Sequence, residues 1–83
     1  MDKELAIKLI NSYYNKEISP QDLIYEYCIS NGKLSYESID FVQTVNFIPG
    51  LVNQLTNYIL DKYTSEYEIC IITDKNNNFI KAY

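Results

Sequence analysis

The chain has no histidine, no arginine and no tryptophan, and only two glycines and two prolines in 83 residues. Each shortage removes a class of chemistry. Without histidine, the commonest general base and metal ligand near neutral pH is missing. Without arginine, there is no planar fork for bidentate phosphate contacts. Gly32 and Gly50 are too far apart to build a glycine-rich phosphate loop, and neither a nucleophile elbow nor a thiol–histidine pair can be assembled. The carboxylates are scattered rather than paired. These gaps point away from an enzyme, and no metal or other cofactor is expected.

Cysteine is also scarce. Cys28 and Cys70 are too few and too widely spaced for a zinc ribbon, and both read as buried free thiols that pack like small hydrophobes. Long apolar runs are absent, each being cut by Asn, Asp or Lys, so nothing spans a membrane. The opening "MDKELAIK" carries charges and lacks the apolar stretch and cleavage site of a secretory signal. A cytoplasmic protein is expected.

What is present suits a single small domain over residues 1–83. Apolar residues make up 47%, an ordinary globular content. A chain of this size buries only about 60% of its unfolded surface, which leaves little room for a deep substrate cavity. The net charge of −4 is unevenly placed. Between residues 17 and 61 stand Glu17, Asp22, Glu26, Glu37, Asp40 and Asp61 against Lys33 alone. That acidic middle repels phosphates and disfavours direct nucleic-acid binding. It attracts a basic protein surface, or serves only as a solvated face. Nine tyrosines add large, rigid contact area of the kind found at protein interfaces, or pack in the core with their hydroxyls at the surface.

Helical signals dominate the first three quarters of the chain. Residues 2–15 place Leu5, Leu9, Ile10 and Tyr13 at helical spacing, with Asp2 and Glu4 in the first turn. "ISPQDLIYEYCISNGK" reads as a second helix, with Ser19 as cap, Pro20 at the first position, Asp22 at the third and Gly32 as exit. Its apolar stripe is Leu23, Ile24, Tyr27 and Cys28. Pro49-Gly50 breaks the chain before another helix, built on Leu51, Val52, Leu55, Ile59 and Tyr63 and ending near Lys62–Tyr63. "EYEICIIT" then changes to period two, with Tyr67, Ile69 and Ile71 on one face. "DKNNN" reads as a turn and "FIKAY" as the returning strand.

The stretch "KLSYESIDFV" is mixed. Leu34 and Tyr36 alternate with polar residues, as in a short strand, while Ile39, Val42 and Val45 follow a helical period. A two-stranded hairpin is marginal alone, and Leu34–Ser38 is the obvious candidate for a third strand. The same residues also read as a helix start, with Ser35 or Ser38 capping and Glu37 favouring the dipole.

At Glu37-Ser38-Ile39 the sequence resembles the small phage and mobile-element inhibitors of uracil-DNA glycosylase. The resemblance rests on that motif beside a helix, on the acidic character and length, and on a terminal hairpin like "EICIITDKNNNFIKAY". It implies that Glu37, Ser38 and Ile39 form a strand lying in the enzyme's DNA-binding groove, with acidic groups standing where DNA phosphates would be. It also implies an apolar pocket that captures a side chain of the enzyme. Here Asp40 is followed by the uncharged "FVQTVNFIP", so the mimicry would fall on Glu37, Asp40 and acids from elsewhere such as Glu26.

The expected fold is α+β, with three or four helices packed on a small antiparallel sheet that contains a C-terminal hairpin. The expected partner is a protein with a basic cleft, uracil-DNA glycosylase by resemblance. An antitoxin or immunity protein, an inhibitor of another nuclease, and a structural or regulatory domain are the alternatives. The candidate contact residues are Tyr36, Glu37, Ser38, Ile39 and Asp40. Helical spacing suggests Val42, Val45, Leu51, Val52 and Leu55 for the pocket.

Overall fold

A computed structural model describes all of residues 1–83. Four helices precede a hairpin: α1 Lys3–Tyr14, α2 Pro20–Ser30, α3 Ser35–Asn46, α4 Leu51–Glu66, β1 Ile71–Thr73 and β2 Phe79–Ala82. The fold is α+β with a C-terminal antiparallel hairpin. No helix is long and apolar enough to cross a membrane.

The first two helices start on side-chain caps. Asp2 accepts from the Leu5 amide at 2.8 Å. Ser19 and Asp22 cap each other's amides reciprocally, with Pro20 at the first position, so α2 begins as its sequence predicts. Such caps contribute about 1 kcal/mol each.

Three helices end alike. The amides of Glu17, Lys33 and Ile69 reach back to the carbonyls of Ser12, Cys28 and Thr64, the six-to-one bond of a Schellman exit. This exit requires a left-handed residue just before the donor. Gly32 fills it after α2 at φ 89°, but Lys16 (62°) and Glu68 (52°) fill it after α1 and α4.

One core draws on every element except β1. It holds Ala6, Leu9 and Ile10 of α1; Leu23, Ile24 and Cys28 of α2; Val45 of α3; Ile59, Leu60 and Tyr63 of α4; and Ile69 and Ala82 of the hairpin region. Burying such side chains contributes roughly 1.5–3 kcal/mol apiece before entropy is counted. The hairpin is held to α1 by the Asn11 amide, which bonds both backbone groups of Ala82, and by Tyr14 stacked on Phe79 at 4.6 Å. Tyr67 donates to the Met1 carbonyl at 2.9 Å.

Several expectations need correction. Leu34–Ser38 adds no strand, because Leu34 caps α3 and the helix runs on from Ser35; the sheet has two strands only. The Asn11 side chain bonds the backbone edge of β2 at Ala82. In α1, Ala6 joins Leu9 and Ile10 in the core and Leu5 is 41% exposed. Helix α4 continues to Glu66, and Tyr67 is its C-cap rather than a strand residue. Glu68 turns the chain there, so the pairing starts only at Cys70, across from Tyr83. Cys28 is a buried free thiol as expected, but Cys70 is exposed.

Candidate functional site

Helix α3 carries the motif. Leu34, at φ −71° and ψ 156°, is extended and offers no side-chain cap. Ser35, Tyr36 and Glu37 make the first turn, where a carboxylate favours the helix dipole. From there the spacing sorts the residues. Ser38 and Val45 point into the protein, and Val42 between them is half-buried. Tyr36, Asp40, Gln43 and Phe47 follow one another at helical spacing down the opposite side, all exposed. Tyr36 is 65% exposed and Phe47, just past the helix end, 86%.

The Glu-Ser-Ile motif is therefore split by the helix. Glu37 and Ile39 are exposed, whereas Ser38 is fully buried and donates to the Leu34 carbonyl at 2.9 Å. The strand implied by the resemblance is not there, and Ser38 cannot contact a partner while α3 is intact. Its small size suits a buried position on a helix packed against both α2 and α4.

Beside the exposed face, a shallow groove of about 190 Å³ runs between α2 and α3, lined by Gln21, Asp22, Tyr25, Ile39, Val42 and Gln43. Two side-chain bonds hold the helices that wall it. The Tyr25 and Ser35 hydroxyls lie 2.7 Å apart, and the Gln21 amide donates to the Asn46 side-chain oxygen at 3.2 Å. Asp22 thus lines the groove on which Ile39 and Gln43 of α3 also open. Other acids lie elsewhere. Glu26 is close enough to Tyr63 to oppose its ionisation, Asp61 acts likewise on Tyr14, and Glu17 lines the α1–α2 turn.

The five residues expected to form an apolar pocket do not come together. Val45 is core, Leu51 and Val52 pack along its margin, and Val42 lines the α2–α3 groove. Only Leu55 reaches an apolar pocket, of about 170 Å³, with Ile24, Cys28, Phe41, Tyr58 and Ile59 among its walls. Leu55, Tyr58 and Ile59 sit at helical spacing opposite the α2 stripe, so the sequence carried this signal. Burial pushes the Cys28 thiol up from its ordinary pKa, with nearby Lys33 opposing.

Most tyrosines are structural. Tyr27, Tyr58, Tyr63 and Tyr67 form a run of ring contacts between α2 and α4, with centroids 6.0–6.3 Å apart. Tyr36 is the most exposed of the large apolar side chains within the helices. Comparison with protein-family models, with characterised proteins and with solved structures gave no match.

Proposed function

We propose that this chain is a protein-binding domain that docks the exposed face of α3 on a basic cleft of its partner. One observation carries the reading. Tyr36 and Ile39 on α3 and Phe47 at its C-cap, large apolar groups without cover, stand with the exposed carboxylates Glu37 and Asp40 of the same helix. Aromatic anchors supply contact area at low entropic cost, while flanking carboxylates steer the face toward positive charge. Helical neighbours three apart have Cβ atoms about 5–6 Å from each other, so Glu37 and Asp40 make a short anionic row.

In its sharper form, the partner is uracil-DNA glycosylase and the row stands in for DNA phosphates in its groove. The protein would then act in the cytoplasm. The helical course of residues 35–46 favours a second reading, because it removes the strand particular to the glycosylase inhibitors. What is left, an acidic and aromatic helix face, equally suits an immunity protein or an inhibitor of another nuclease.

Uracil excision measured with increasing amounts of this chain separates the two. Loss of activity at equimolar inhibitor, relieved by excess DNA, supports the glycosylase. Full activity at high excess excludes it, and a pull-down from bacterial lysate then tests the wider reading. Capture of a basic nuclease in a salt-sensitive manner supports that reading, and capture that ignores both salt and the α3 face overturns it.

A further inference from the structure

The two outer edges of the hairpin are treated differently. Cys70 and Tyr83 exchange both backbone bonds, at 2.8 and 2.9 Å, and the Asp74 amide bonds the Asn78 carbonyl at 2.9 Å. In an antiparallel ladder the residues between such pairs direct their N–H and C=O groups outward. On β2 the outward groups of Ala82 meet the Asn11 side chain. On β1 the outward groups belong to Ile71 and Thr73, and no side chain or loop bonds them. Ile69–Thr73 carries no charge and no proline, and Cys70, Ile71 and Thr73 are exposed. The strand is short and its pairing bulges after Ile72, but no charge, proline or covering segment within it blocks this edge.

We infer that β1 pairs with β1 of a second copy of this chain, joining two hairpins into one antiparallel sheet about a two-fold axis at Ile72. In that register Ile71 faces Thr73 of the second copy. Each donates its N–H to the other's carbonyl, and symmetry repeats the exchange. Ile72 meets Ile72 as an apolar cross-strand pair, and Cys70 faces Asp74, so no like charges stand opposite. The neighbouring register, centred on Ile71, sets Glu68 against Asp74 and is disfavoured. The self-complementary ladder selects a second copy, while an uncharged edge offers nothing to steer a charged foreign strand. The contact is isologous and closes at the dimer. It uses none of the α3 face and does not depend on the proposed function.

The test is the mass in solution by light scattering over a range of concentrations, with amide exchange read in parallel. The expected result is a rise from 9.7 kDa toward twice that mass, with Ile71 and Thr73 amides gaining protection as it rises. Ile71→Pro deletes an outward donor without touching a β1–β2 bond, and edge strands tolerate proline; it should stay folded and monomeric. A wild-type chain that remains monomeric at its highest soluble concentration overturns the inference. So does a dimer in which both amides still exchange freely, or one that Ile71→Pro forms equally well. Should that variant fail to fold, the wild-type exchange data decide alone. An extended peptide that protects these amides on a chain that never dimerises also overturns it.

Discussion

Asn11 and Ala82, far apart in the chain, are joined by two hydrogen bonds: Asn11 Nδ2 donates to the Ala82 carbonyl at 3.1 Å, and the Ala82 amide donates to Asn11 Oδ1 at 3.0 Å. A third bond, from Nδ2 to the Ile7 carbonyl at 3.0 Å, fixes the amide plane. One side chain thus completes the edge of a sheet too small to stand alone. Asn11→Ala leaves both part-buried backbone groups without partners, at a cost of roughly 1–3 kcal/mol each at most. Urea denaturation should show a clear loss of stability, and the Ala82 amide should exchange faster. Asn11→Asp keeps the acceptor but turns a carboxylate toward the Ala82 carbonyl, so it should not restore wild-type stability.

Lys16 and Glu68 occupy left-handed positions that Gly32 occupies after α2. A side chain in that conformation costs about 1–2 kcal/mol, partly offset by the entropy a glycine adds to the unfolded chain. Lys16→Gly and Glu68→Gly should each raise the melting temperature by a few degrees, about 4–8 °C per kcal/mol for a domain of this size. Gly32→Ala should lower it, although a Cβ there meets nothing within 4 Å, because its φ of 89° is the obstacle.

How much of this was legible varied with the kind of signal. Helix α2 was fully readable, since Ser19, Pro20, Asp22 and Gly32 are local signals that act as their chemistry dictates. The hairpin turn was readable too: the Asp74 carboxylate accepts from the amides of Asn76 and Asn78. The course of α3 was not, because Leu34 brings no cap and Leu34–Ser38 alternates like a strand. There the helical period of Ser38, Val42 and Val45, fixed by packing on α2 and α4, outweighed a short local pattern. The end of α1 was read within a residue, but the end of α4 was hidden for another reason. Its left-handed exit falls on Glu68, a residue type that carries no such preference.

Ser38 separates a packing role from a contact role. Its hydroxyl bonds only the carbonyl one turn back, at 2.9 Å, and that carbonyl also accepts the Ser38 amide. Ser38→Ala should cost little stability and leave partner binding unchanged. Ser38→Leu should overpack the site and cost about 1–3 kcal/mol, seen as a lower denaturation midpoint.

Tyr63 predicts an alkaline limb. Its hydroxyl is buried without a hydrogen-bond partner. The nearby Ser30 hydroxyl donates to the Tyr27 carbonyl instead, at 2.8 Å. Burial pushes the Tyr63 pKa up to about 12 from 10.0. The unfolded chain therefore releases this proton first, so stability is unaffected below about pH 10 and falls as pH rises from 10 to 12. Tyr63→Phe removes the unpaired hydroxyl. It should be neutral or stabilising near pH 7, and denaturation curves across that alkaline range should fall less steeply than for the wild type.

The carboxylates of α3 test the proposed function. Glu37 and Asp40 are exposed in the free protein, so Glu37→Ala and Asp40→Ala should leave the melting temperature nearly unchanged. In a complex that desolvates them, truncating one such charge costs about 2–5 kcal/mol, mostly in the off-rate, which is roughly thirtyfold or more in affinity. Tyr36→Ala should weaken binding as well, through lost anchor area rather than charge, and that loss should persist at high salt. Glu17→Ala is the control, because Glu17 lines the α1–α2 turn away from α3. Surface plasmon resonance against the captured partner reads all four. If both α3 carboxylate variants bind as tightly as the wild type while Glu17→Ala does not, the binding face lies at the α1–α2 turn and the assignment to α3 fails.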